Sequence, residues 1–86
     1  MKTIHKYQLP ITGKVTAPEG AKFLTVQTQD GGPQLWALVD TLRPMVEHDF
    51  RVFGTGHPYD GEDRYIGTFQ LNDGALVFHV FQAVTA

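Results

Sequence analysis

The chain has 86 residues, of which 42% are hydrophobic, and seven Lys and Arg stand against nine Asp and Glu for a formal charge of -2. This is the composition of one folded domain spanning residues 1–86 and excludes a disordered segment, while the slight acidic balance argues against a general electrostatic grip on nucleic acid. With no cysteine, disulfides, thiolate metal sites and cysteine nucleophiles are excluded, and nothing asks for an oxidising compartment.

The opening Met1-Lys2-Thr3-Ile4-His5-Lys6 lacks the apolar run of a secretory leader. No stretch is apolar enough to span a bilayer. A cytoplasmic protein with no membrane partner is therefore expected. A chain this short buries only about 60–70% of its unfolded surface, so association with a second copy would help to stabilise it.

Periodicity predicts strands almost throughout. Tyr7, Leu9 and Ile11 alternate with Gln8 and Pro10; Pro10 cannot donate to a ladder, so this first strand is placed at an edge. Turns at Thr12-Gly13 and Ala17-Pro18-Glu19-Gly20 flank a short extended piece around Val15. Residues 23–29 read as a strand with Leu24, Val26 and Thr28 on one face. Asp30-Gly31-Gly32-Pro33 then supplies the positive-φ residues of a tight reversal, which predicts a hairpin over residues 23–40.

Its second strand alternates Leu35, Ala37 and Val39 with Trp36 and Leu38, so both faces need cover. Residues 41–49 read as a loop, because Pro44 discourages a helix and the remainder is short. Residues 50–55 resume the alternation, with Phe50 and Val52 opposite Phe53, and 57–63 form a polar connection. Residues 64–71 place Tyr65, Gly67 and Phe69 opposite Ile66, Thr68 and Gln70. Asn72-Asp73-Gly74 closes a last hairpin into residues 75–82, with Leu76, Phe78 and Val80 opposite Val77, His79 and Phe81. The expectation is an all-β antiparallel meander of about six strands, curled into a compact barrel or a two-layer sandwich.

Gly54-Thr55-Gly56-His57-Pro58 is the most distinctive string. Two glycines let backbone approach a ligand, but the long spacing, Lys and following helix of a phosphate loop are missing, so a strand end is the plainer reading. His5, His48, His57 and His79 show no ligand-pair spacing, and no metal or cofactor is expected. His79, between apolar neighbours, reads as a hydrogen-bonded residue on a half-buried face.

The carboxylates Asp40, Glu47, Asp49, Asp60, Glu62, Asp63 and Asp73 lie mostly in turns, where acids are solvated, and serine is absent. Catalysis is the minority reading. The six phenylalanines are explained by core packing better than by a stacking platform, since the basic residues are scattered. Trp36 and Leu38 on one strand, and Val77 and Phe81 on another, leave apolar surface in excess of one small core. Either a closed fold or a homodimer covers it.

The blocks Leu35-Trp36-Ala37-Leu38-Val39-Asp40, Phe53-Gly54-Thr55-Gly56-His57-Pro58, Ile66-Gly67-Thr68-Phe69-Gln70 and Leu76-Val77-Phe78-His79-Val80-Phe81, with the opening Ile4-His5-Lys6-Tyr7, resemble a family of short, functionally uncharacterised tailed-phage and prophage proteins. The resemblance implies a phage accessory protein acting in the bacterial host cytoplasm on a host protein or a small nucleotide, such as a defence complex or its signal. Ligand-binding or interface candidates are Trp36, Gly54, Thr55, Gly56, His57, Tyr59, Arg64 and His79. A nucleic-acid-associated module of a phage operon, and a small hydrolase using His57 or His79 with a nearby acid, are the alternatives.

Overall fold

A computed structural model describes residues 1–61 and 63–83. Among these described residues the apolar alternation becomes seven strands, β1 (Lys2–Gln8), β2 (Lys14–Pro18), β3 (Lys22–Gln29), β4 (Gly32–Asp40), β5 (Met45–Gly54), β6 (Arg64–Leu71) and β7 (Leu76–Gln82). They form a three-stranded sheet in the order β1-β4-β3 and a four-stranded sheet in the order β2-β5-β7-β6, with every pairing antiparallel. The smallest dimension of the molecule, 18 Å, accommodates two sheets about 10 Å apart. The fold is all-β, and of the two expected architectures it is the two-layer sandwich, not the closed barrel.

Local chemistry explains the hairpins. Asp30 (φ 55°) and Gly31 (φ 81°) both take positive φ between the paired Gln29 and Gly32, the two-residue loop whose twist matches that of the strands. At the β6–β7 connection Asn72, Asp73 and Gly74 are all left-handed, residue types that tolerate this region.

Three expectations about the strands are corrected. The first strand is β1, Lys2–Gln8, rather than residues 7–11; Pro10 begins a turn closed by the Gly13 N–H on the Pro10 carbonyl at 2.9 Å. This strand is indeed at a sheet edge, though not because of Pro10. Residues 45–49 are not a loop but the first half of β5, paired with β2 from Lys14 opposite Asp49 to Pro18 opposite Met45. Pro44 keeps Arg43 out of the helical region yet leaves it free to be extended, and the ten-residue β5 serves two partners in succession.

The third correction concerns faces. Register shifts between Phe23 and Thr25 and between Tyr65 and Gly67 insert an extra residue and reset the alternation. Phe23 and Val26 are thus buried while Leu24 is exposed, and Ile66 and Phe69 are buried while Tyr65 is exposed.

The inner faces share one core. Phe23 of β3 meets Phe50 of β5 edge-on, with centroids 4.7 Å apart and planes at 80°, and Leu35 and Val80 are fully buried from either sheet. Each such side chain contributes about 1.5–3 kcal/mol. Of the six phenylalanines, Phe23, Phe50 and Phe69 are buried and Phe78 packs against them. Phe53 and Phe81 do not join this core, contrary to expectation; they are half-buried on the outer face of the second sheet.

On one side the layers touch closely: a Cβ at Gly67 would stand 3.0 Å from Val26, the Thr28 hydroxyl donates to the Gln70 carbonyl at 2.8 Å, and Arg64 Nη2 donates to the Phe23 carbonyl at 3.4 Å. On the β1 side no ladder closes the layers among the described residues.

Gly13 sets the entry into β2. Its φ is +74°, a Cβ there would drive into the Phe50 carbonyl, and the Gly13 carbonyl accepts the Phe50 N–H at 2.7 Å. Gly20 has a similar φ of +78° but open space around it. Gly20→Ala should therefore cost only the backbone strain, about 1 kcal/mol, and Gly13→Ala about 2–4 kcal/mol. Thermal unfolding of both variants checks this ordering.

Candidate functional site

The outward residues of the second sheet follow from its register. Phe53 pairs with His79 and Arg51 with Phe81, while Thr68 pairs with His79 and Tyr65 with Phe81. One continuous outer face therefore carries Arg51, Phe53, His79, Phe81, Tyr65 and Thr68. Tyr59, from the connection after β5, folds back onto it: its ring stacks on Phe81 with centroids 4.7 Å apart and planes at 28°, and it meets Phe53 edge-on at 5.0 Å.

The connection is held down by polar contacts. Arg51 donates from Nη2 to Asp60 at 2.9 Å and from Nη1 to Asp63 at 3.1 Å, and its guanidinium lies 4.9 Å from the centre of the Phe53 ring. The Asp63 N–H donates to the Tyr59 hydroxyl at 3.1 Å. The hydrogen bond and charge of Arg51 hold the Asp60 carboxyl below its ordinary value of 3.8, and Asp60 in turn raises the Arg51 guanidinium. Glu62 lies outside the described residues.

Gly54-Thr55-Gly56-His57 is a β-turn. The His57 N–H donates to the Gly54 carbonyl at 3.1 Å, and Gly56 takes φ +87° at the third position, where such a turn requires it. The Thr55 N–H goes to the Val77 carbonyl at 3.2 Å. Two of the amide groups that an anion loop would present are thus engaged. The absence of a Cβ at Gly54 makes room for the His57 ring, which a Cβ would meet at 2.8 Å.

His79 sits within a hydrogen-bonded chain. Its Nε2 is 2.8 Å from the Thr55 hydroxyl and its Nδ1 2.9 Å from the Thr68 hydroxyl, which in turn is 2.6 Å from the Tyr65 hydroxyl. The Thr55 hydroxyl also faces the Val77 carbonyl at 3.4 Å. Two proton relays satisfy the ring: Tyr65 donates to Thr68, Thr68 to Nδ1, Nε2–H to Thr55 and Thr55 to Val77, or, reversed, Thr55 donates to Nε2, Nδ1–H to Thr68 and Thr68 to Tyr65. This is the hydrogen-bonded, half-buried histidine that the sequence suggests.

Six of the eight sequence candidates, Gly54, Thr55, Gly56, His57, Tyr59 and His79, line one shallow depression of about 290 Å3 together with Phe53 and Phe81. The other two lie elsewhere. Trp36 is half-buried on the outer face of the first sheet, between Lys6 and Thr25, and Arg64 reaches from the start of β6 to β3. Phe53, Phe81, Tyr65 and Thr68 were missing from the candidates, although the alternation of β5 and β7 already sets Phe53 and Phe81 on the faces opposite Phe50 and Val80. A larger depression of about 500 Å3 between the two hairpin tips has only Asp73 as a titratable lining group. Among the described residues no three His, Asp or Glu are grouped to hold a metal ion.

Two outcomes follow. Thr68→Val should cost about 0.5–1.5 kcal/mol by leaving Nδ1 and the Tyr65 hydroxyl without their partner, as chemical denaturation will show. Asp60 has a lowered folded-state pKa, so its stabilising effect is complete above the ordinary 3.8 and vanishes as pH falls through the folded value. The melting temperature of Asp60→Asn should lie slightly below that of wild type at pH 7, and the gap should close in strong acid.

In comparison with known families, the chain matches along residues 1–86 the one described as a domain of unknown function, DUF7352. No curated protein and no solved structure matches it. The chain belongs to the DUF7352 family.

Proposed function

We propose that this protein is a non-catalytic binding protein, of the small accessory kind that tailed phages and prophages produce, and that it engages a host protein in the bacterial cytoplasm through the aromatic depression on β5, β7 and the connection after β5. The observation that carries this reading is the contrast between His79, whose two ring nitrogens are both occupied by threonine hydroxyls, and the rings of Phe53, Tyr59 and Phe81, which are left at the surface. A histidine acting as general base needs a nitrogen within reach of the substrate proton and a group behind it to orient the ring. Here the nearby carboxylates Asp60 and Asp63 are drawn to Arg51 instead. What the face offers is rigid aromatic area with fixed hydrogen bonds, the chemistry of interface anchors.

A small nucleotide is the second ligand class, since exposed rings stack on bases. It is less well supported: Tyr59 and Phe81 already stack on each other, and the cation beside them is neutralised by its two carboxylates. The same pairing weakens a nucleic-acid role for this face.

The test is capture of a partner from bacterial extract by the tagged protein, followed by titration of the purified pair. Tyr59→Ala and Phe81→Ala should each weaken the complex at least tenfold with the far-ultraviolet circular dichroism unchanged. His79→Gln should bind as wild type and lose only modest stability. Undiminished binding by both aromatic variants would refute the assignment of the surface. A turnover abolished by His79→Gln would refute the non-catalytic reading.

A further inference from the structure

The free edge of β1 is a separate surface. β1 ends the three-stranded sheet, so among the described residues one of its two rows of backbone N–H and C=O groups is unpaired along Lys2–Gln8, on the side where the sandwich is open. Lys2, Ile4 and Lys6 point outward from it, at the two-residue spacing of about 6.6 Å, opposite Asp40, Leu38 and Trp36 of β4. Ile4 remains 55% exposed.

The charges on this strand are not spent. Lys14, Arg43 and Arg51 are each in ion pairs with carboxylates. Among the described residues Lys2 and Lys6 make none, and the Lys6 ammonium donates to the neutral amide of Gln29. Asp40, the carboxylate nearest Lys2 in the ladder, is engaged by the Leu42 N–H at 3.0 Å and by the N-terminal ammonium at 3.4 Å, and it feels the Lys2 charge without pairing with it.

Lysines on an edge strand discourage a second copy of the same strand from pairing there. They favour an incoming strand of opposite charge, because addition to a sheet edge takes its affinity from the backbone and its choice of partner from alternate side chains.

We infer that β1 is a docking edge for an extended acidic segment of a partner protein, one that adds as an antiparallel strand and sets carboxylates beside Lys2 and Lys6 with an apolar side chain beside Ile4. Its inward side chains would lie next to His5 and Tyr7, extending the first sheet over the open side of the sandwich. This surface is distinct from the aromatic depression, and the two can be occupied together.

The probe is a labelled nine-residue peptide with Glu-Val-Leu-Thr-Glu at its centre, added to the whole protein. Fluorescence anisotropy should report binding, and amide exchange of residues 2–8 should slow at alternate positions. Lys6→Glu should weaken binding at least tenfold and added salt should weaken it progressively, while Tyr59→Ala should leave it unchanged. That last variant separates failure here from failure of the aromatic surface. Three results would overturn the inference: no slowing of exchange in β1 at saturating peptide, equal binding of the matching peptide with Lys in place of Glu, or stronger binding of single-stranded DNA or of phosphatidylserine vesicles than of the acidic peptide.

Discussion

The edge-to-face contact of Phe23 with Phe50, 4.7 Å between centroids, is the point on which the two layers depend. Phe23 lies on β3 of the first sheet and Phe50 on β5 of the second, at the junction where β5 changes partner from β2 to β7. The Phe50 N–H is tied to Gly13 at the same place, and His48 and Tyr7 add their rings around Phe23. With 86 residues there is material for one such core. Once the inner faces are committed to it, the outer faces must be satisfied in another way.

The second sheet solves this by covering part of its outer face with its own connection. Tyr59 stacks on Phe81, Arg51 spans Asp60 and Asp63 above Phe53, and Tyr65, Thr68, His79 and Thr55 link their polar atoms in series. The cover is partial, and the uncovered remainder is an aromatic depression with fixed hydrogen bonds. That arrangement suits recognition better than chemistry, because both nitrogens of His79 are occupied and Asp60 and Asp63 are drawn to Arg51. The first sheet keeps a different kind of remainder, a free edge with two lysines and an isoleucine.

The strand pattern of residues 23–40 and 64–82 was readable because the positive-φ turn residues Asp30-Gly31 and Asn72-Asp73-Gly74 are local features with local causes. Alternation likewise separated Leu35, Ala37 and Val39 from Trp36 and Leu38. It failed at Tyr65 and Leu24, because a bulge is decided by the pairing of two strands and leaves no mark on one of them. It failed at Met45 for a similar reason: the residues are polar enough for a loop, and only β2 alongside makes them a strand. Of the site, the run from Gly54 to His57 and the isolated His79 were legible as chemistry. The alternation also set Phe53 and Phe81 opposite Phe50 and Val80, but not which of the two faces is the outer one, since a phenylalanine in a strand usually marks the core.

The central claim is that the rings of Phe53, Tyr59 and Phe81 form the recognition surface. Hydroxyl-radical footprinting of the protein alone and in complex with its captured partner tests it most directly, since aromatic side chains react readily when exposed. Tyr59 and Phe81 should become protected in the complex while Leu24 and Leu38, both exposed on the first sheet, keep their reactivity. Protection at Leu24 or Leu38 with Tyr59 and Phe81 unchanged would contradict the account.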